Sequence, residues 1–233
     1  MSDYAVQRTN MVESQVRPSD VTDRRIIRAM LELPREAFVP SQMRSTAYMD
    51  EDLTLVRGDA GQHARAMMAP RVLAKLIQLA VVEDSDIVLD IGCLTGYSTA
   101  VLARMAQTVV GLESDEALAA RASKLLAEQS VDNAVVETGA LAEGVAGEAP
   151  FDVIVLEGAL PQVPAGLLDQ LKDGGRLVAI QAESRRSEGR HAEGRFGKAC
   201  LWKRVSDSFD CRPAFDAGAF VLSGFERVPE FML

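Results

Sequence analysis

Apolar positions over residues 86–182 fall in short runs, separated by stretches where they recur every three or four residues. Short continuous runs fit strands buried on both faces, and the wider spacing fits amphipathic helices. The pattern predicts strands at "DIVLDI", "TVVGLE", "NAVVET", "FDVIVLE" and "GGRLVAIQ". It predicts helices at "GYSTAVLARMA", at "DEALAARASKLLAEQ" with Ser114 as N-cap, and at "AGLLDQL". Such alternation is the signature of a mostly parallel sheet with helices on both faces. Two later strand patterns, "GKACLWKRV" and "AGAFVLSGFE", have no helix between them. They predict an antiparallel pair closing the C-terminal edge of an α/β fold.

Upstream the pattern is different. Residues 8–32 predict helix, with Ile26, Ile27, Met30 and Leu31 on one face and Ser19 or Asp20 as a cap. "LPREAFVP" predicts a turn and a short extended segment. Residues 41–69 hold few apolar anchors and predict a long, partly mobile loop of the kind that often carries function. Pro70 suits the first turn of a helix buried through Val72, Leu73, Leu76, Ile77 and Ala80. "AESRRSEGRHAEGRFG", mixed in charge and rich in glycine, predicts a solvated loop. The 233 residues predict one domain: N-terminal helices and a substrate-side loop (1–69), a cofactor-binding core (70–182) and C-terminal strands (183–233).

Composition narrows the function. A net charge of −9 argues against broad contact with nucleic acid or anionic lipid. No apolar stretch reaches the roughly 18 residues of a membrane span, and "MSDYAVQRTN" has no secretory pattern. Three cysteines (Cys93, Cys200, Cys211) without ligand spacing, and two distant histidines, predict no metal site. Free thiols fit a reducing compartment, so the expected location is the cytoplasm. Trp202 is expected in the core.

The candidate chemistry lies in "VLDIGCLTGY". Gly92 and Gly96 fall on the turn after the first core strand, where ligands bind in open α/β sheets. The spacing is G-x-x-x-G rather than the G-x-G-x-x-G that seats a pyrophosphate, and no Lys-Ser or Lys-Thr follows. Glu113 ends the next strand, about 20 residues on, where an acid accepts both hydroxyls of a ribose. With Asp90 ending "VLD", the set suits an adenosyl ligand without a pyrophosphate.

Several stretches resemble the protein-L-isoaspartate O-methyltransferases, a family of S-adenosylmethionine-dependent enzymes with a Rossmann-like class I fold. They are "MVESQVRPSDVTDRRIIRAMLELPREAFVP", "AYMDEDLTL", "VLDIGCLTGYSTAVLA" and "APFDVIVLEGALPQVPAGLLDQLKDGGRLV". The first matters most, because methyltransferases at large do not share it. The resemblance implies that Gly92, Cys93, Leu94, Thr95 and Gly96 line the methionine and ribose part of S-adenosylmethionine, with Glu113 on the ribose. It implies methyl transfer to an isoaspartyl carboxylate of a damaged protein or peptide, with no nucleic-acid or membrane partner.

The chain departs from the family twice. A Thr-Ile-Ser run that helps position substrate is replaced by Ala66, Met67 and Met68. Each lost hydrogen bond to a charged carboxylate is worth about 1.5–3 kcal/mol. Gln62, His63 and Arg65 on the longer preceding segment are candidate replacements, Arg65 foremost because a guanidinium grips a carboxylate bidentately. After the third strand, Gly139 is kept but Ala140 replaces the acid that reads adenine, leaving main-chain groups and Leu141 to hold the base. Glu157, ending "FDVIVLE", is unusual for the family and is expected to face the same crevice. A different methyl acceptor, and a non-catalytic relative that still binds the cofactor, are the alternatives these departures raise.

Overall fold

The computed structural model describes residues 3–58, 64–183 and 196–225. Helix α1 (Tyr4–Met11) starts under Asp3, whose carboxylate accepts the N–H groups of Ala5 and Val6. The chain continues through a π-helical turn (Val12–Val16) and a 3₁₀ turn (Arg17–Ser19). It stops at Asp20, whose φ of 64° is left-handed. The helical stretch expected over 8–32, with its cap at Ser19 or Asp20, is thus divided into α1 and a second helix. Pro18 has no N–H to continue the ladder, and α2 (Arg24–Glu32) restarts under Asp23 rather than Ser19 or Asp20. Ile26, Ile27 and Met30 are buried as expected, while Ala29 takes the place expected for the half-buried Leu31.

"LPREAFVP" contains a 3₁₀ turn, Arg35–Ala37. Of the loop expected over 41–69, residues 59–63 lie outside the described residues, and 41–58 and 64–69 hold more regular structure than their composition suggested. A 3₁₀ segment (Ser41–Thr46) leads to an antiparallel ribbon of β1 (Leu53–Val56) and β2 (Arg65–Met67). Leu53 pairs with Met67 and Thr54 with Ala66. The strands are too short for their alternation to stand out in the sequence. Helix α3 (Pro70–Ala80) opens on Pro70 and buries Leu73, Leu76, Ile77 and Ala80, with Val72 half-buried.

The main sheet uses β3 (Ile87–Ile91), β4 (Thr108–Glu113), β5 (Ala134–Thr138), β6 (Phe151–Leu160), β7 (Leu171–Ala182), β8 (Gly197–Val205) and β9 (Ser208–Ala217). Interleaved are α4 (Tyr97–Ala103), α5 (Glu116–Glu128) and the short α6 (Ala165–Leu168). Asp115, not Ser114, caps α5. The strand order is β5-β4-β3-β6-β7-β8-β9, parallel through β7 and antiparallel at β8 and β9.

Successive residues of the central strands bury into different clusters: Val153 and Val155 into one, Ile154 and Leu156 into the other. The first cluster is shared with α1 to α5, through Met11, Ile26, Leu73, Val101 and Leu126. The second is covered by Leu141, Leu167 of α6, Trp202 and Leu222. Trp202 thus packs in the core, as expected. The helical cover is unequal, with α6 alone among these helices on the second side.

One expected strand is displaced. The antiparallel partner of β8 is "SFDCRPAFDA", not "AGAFVLSGFE". As the sheet edge, β9 is mostly exposed and polar, and it tolerates Pro213, so it lacks the apolar pattern of a buried strand. The "AGAFVLSGFE" segment instead makes a single parallel bridge, Ala159 to Val221. Strand order reverses between β3 and β6, which places a crevice beyond their carboxyl ends.

Candidate cofactor and acceptor site

The turn after β3 is shaped by three residues with left-handed backbone, Gly92, Leu94 and Gly96, and by its hydrogen bonds. Gly92 has φ +83° and donates its N–H to Leu112 O at 2.8 Å. Leu94 also has positive φ (53°). That conformation costs a leucine on the order of 1–2 kcal/mol. It directs the Leu94 N–H to Glu113 Oε2 at 2.9 Å.

The residues of this turn point in different directions. An added Cβ at Gly92 would lie 2.9 Å from Leu222 Cδ2, 3.8 Å from an Arg65 nitrogen and 3.8 Å from Glu157 Cβ, so its bare side opens on the site. Gly96 (φ +88°) turns its bare side to α5, where a Cβ would meet Ala122 at 3.3 Å. Thr95 is buried and donates its hydroxyl to Phe38 O at 2.6 Å. Cys93 is buried with its sulfur toward Gly111, and burial pushes its thiol well above the ordinary value. Leu94 packs its side chain in the core and contributes only its main chain. The side chains of Cys93, Leu94 and Thr95 therefore hold the turn, and their main chain is the part left to border a ligand.

The N-terminal segment holds this turn from behind. Arg35 is wholly buried, donates Nε to Ala47 O at 2.9 Å and Nη2 to Met68 O at 2.7 Å, and lies 4.8 Å over the Tyr97 ring. Phe38 meets Tyr97 edge-on at 5.5 Å. "PREAFVP" thus buttresses the glycine turn, a role its proline-bounded pattern did not reveal.

Three carboxyls converge at the strand ends. Asp90 Oδ2 accepts the hydroxyls of Ser98 (2.8 Å) and Thr99 (2.7 Å), and its Oδ1 has no partner. Burial raises its pKa to about 6, against the lowering effect of those two hydroxyls. Glu157, on β6, is buried with Oε1 unpartnered; burial, and then Asp90, raise its pKa well above the carboxylate range. Its Cβ lies 3.8 Å from where a Cβ on Gly92 would stand.

Glu113 is fully buried. Its oxygens accept the N–H groups of Leu94, Ser114 and Asp115, and both arms of the Arg65 guanidinium at 2.8 Å each. Arg65, the foremost candidate for an acceptor carboxylate, is paired with Glu113 and is itself buried. Gln62 and His63 lie outside the described residues. Met68, expected at the acceptor side, is 2% exposed and packs in the core, leaving only its carbonyl in use, on Arg35. Ala140 is exposed, Gly139 donates its N–H to Glu113 O, and Leu141 is buried in the second cluster rather than open to a base. Leu222, which the sequence reading placed in a strand, wedges between Gly92 and Gly158. Its segment is held on β6 by Ala159 N–H to Phe220 O (2.8 Å) and Leu222 N–H to Ala159 O (2.9 Å).

The chemistry of these groups fits an adenosyl amino acid. A carboxylate fixed by main-chain donors, with two remaining acceptor directions side by side, suits a vicinal diol. The guanidinium now fills those directions with the same paired-donor pattern. Asp90 Oδ1 and Glu157 Oε1 are buried without a hydrogen-bond partner, and Glu157 Cβ lies near the bare side of Gly92. No cluster with metal-ligand character occurs among the described residues. No helix among them is long and apolar enough to cross a membrane.

Comparison with known proteins agrees. The profile described as protein-L-isoaspartate(D-aspartate) O-methyltransferase matches residues 6–191. Protein-L-isoaspartate O-methyltransferase 2 of Anaeromyxobacter sp. (strain Fw109-5) is 39% identical over 172 residues, 74% of this chain and 68% of that protein. The protein-L-isoaspartate O-methyltransferase of Koribacter versatilis (strain Ellin345) is 35% identical over 178 residues, 76% of this chain and 78% of that one. A solved protein-L-isoaspartate O-methyltransferase superposes with a TM-score of 0.75 at 24% identity, over 93% of this chain and 66% of that one. A Plasmodium falciparum protein assigned to the same activity, solved with S-adenosyl-L-homocysteine, gives 0.68 at 17% identity, over 94% of this chain and 97% of that one. These two likenesses bear on the fold, which is that of the class I methyltransferases. The profile match and the sequence relatives go further: the chain belongs to the protein-L-isoaspartate(D-aspartate) O-methyltransferase family.

Proposed function

We propose that this chain transfers a methyl group from S-adenosylmethionine to the carboxylate of an isoaspartyl residue in a protein or peptide. The observation that carries the reading is the Glu113 carboxylate, fixed by three main-chain N–H groups at the end of β4 beside Gly92, in a chain of this family. When bound, the cofactor supplies an electrophilic methyl on its sulfonium. The chain's own residues bind and orient. Glu113 holds the ribose hydroxyls, and Gly92 lets the main chain approach. Asp90 and Glu157 flank the amino-acid part, and Gly139 with Ala140 borders the base through the main chain.

The acceptor carboxylate is already ionised at neutral pH, so no general base is required. Rate enhancement then rests on alignment of oxygen with methyl and on exclusion of water, which Leu222 and the β1–β2 ribbon favour by covering the turn. Ala66, Met67 and Met68 supply no hydroxyl to the acceptor, so its carboxylate must be held by other donors. The three cysteines are free, in keeping with a reducing compartment such as the cytoplasm. Incubation with S-adenosylmethionine and a synthetic isoaspartyl peptide tests the reading, which expects a methyl ester on that peptide.

A further inference from the structure

Arg65 and Glu113 form a bidentate ion pair with both contacts at 2.8 Å, side chains 8% and 0% exposed. Pairs of this geometry are among the strong interactions of a protein interior. The guanidinium uses the acceptor directions of Glu113 that a ribose diol would need, and one of its nitrogens lies beside the bare side of Gly92. Arg65 begins β2, and the residues that follow it, Ala66 to Met68, stand where the resembled family carries its substrate hydroxyls. The three main-chain N–H groups on Glu113 remain when the guanidinium leaves, so the carboxylate keeps a built anion site without it.

We infer that Arg65 is an internal competitor for the ribose subsite, and that the adenosyl cofactor binds only as the Arg65–Glu113 pair opens. This rests on the ribose role proposed for Glu113. The closed pair lowers the population able to bind, and the apparent dissociation constant rises in proportion. Opening releases the first residue of β2, so cofactor occupancy and the position of the 65–68 stretch are linked, and a freed guanidinium becomes available to an acceptor carboxylate.

Calorimetric titration of the full chain with S-adenosylhomocysteine, against the same titration of Arg65→Ala, tests this. The competitor account expects the variant to bind about tenfold more tightly or better. A merely structural role for Arg65 would leave affinity unchanged or weakened, and either result in a folded variant overturns the inference. Hydrogen exchange on the wild-type chain decides the matter should Arg65→Ala not fold. The account expects the amides of Arg65–Met67 to exchange faster on saturation with S-adenosylhomocysteine, and slower exchange overturns it. If wild type binds as tightly as the variant, the ribose assignment of Glu113 stands and the competitor falls alone. If neither binds, the ribose assignment fails and the competitor falls with it.

Discussion

Thr95 donates its hydroxyl to the main-chain oxygen of Phe38 at 2.6 Å, joining the glycine turn to the N-terminal signature 57 positions upstream. Both groups are buried, so neither has water as an alternative partner. Thr95→Val keeps the shape and leaves the Phe38 carbonyl unsatisfied. The expected loss is about 1–2 kcal/mol, read from the urea midpoint at unchanged slope.

Gly96 combines a left-handed φ with a bare side pressed on Ala122 and Leu126 of α5. Gly96→Ala is expected to cost about 2–3 kcal/mol, from backbone strain and overpacking together. Gly147 has open space around it, and Gly147→Ala is expected to stay within about 0.5 kcal/mol of wild type. Thermal denaturation of the two variants side by side checks the contrast.

Arg35 is the one charged side chain with no exposure at all among the N-terminal elements described, and its fork binds two carbonyls while the cation lies on Tyr97. Arg35→Lys keeps the charge but loses the fork. A loss of about 3 kcal/mol or more is expected in denaturant unfolding, because one ammonium cannot reach both carbonyls and a buried charge is left poorly paired.

Asp90 and Glu157 titrate higher in the folded chain than their ordinary values, chiefly because burial penalises their charged forms. The folded state therefore binds more protons than the unfolded one above about pH 4, and stability falls as pH rises. For Asp90 the window runs from its ordinary 3.8 to about 6; for Glu157 it begins at 4.5 and extends higher. Arg35 opposes the shift at Glu157, and Glu113 adds to that at Asp90. Glu157→Gln removes one of the two acids. It is expected to match wild type near pH 4 and to exceed it in stability near pH 8, with urea midpoints across that range as the measurement.

Elements buried on regular faces were legible in the sequence. The stripe of Leu73, Leu76, Ile77 and Ala80 marked α3, and unbroken apolar runs marked β3, β4 and β6. Exposed or very short elements were not. β9 is an edge strand whose residues need no apolar face, and the β1–β2 ribbon is too brief to show a period. In the site, Glu113 and Gly92 were found by their positions at strand ends. The pairing of Arg65 with Glu113 was not, because a contact 48 positions apart depends on where the ribbon docks. The Thr95 bond to Phe38 was hidden for a related reason: a polar residue in a turn gives no sign in the sequence of which distant carbonyl it meets. Leu222 carried only the signal of an apolar run after the last strand, which read as another strand.

The most direct test of the proposed activity pairs two peptides identical except for one residue, isoaspartyl in one and normal aspartyl in the other. Each is incubated with the full chain and S-adenosylmethionine carrying a labelled methyl group, and base-labile methyl ester is counted. The account predicts ester on the isoaspartyl peptide and background on its control. Label on neither peptide, from protein that binds S-adenosylhomocysteine, would contradict it, as would equal label on both.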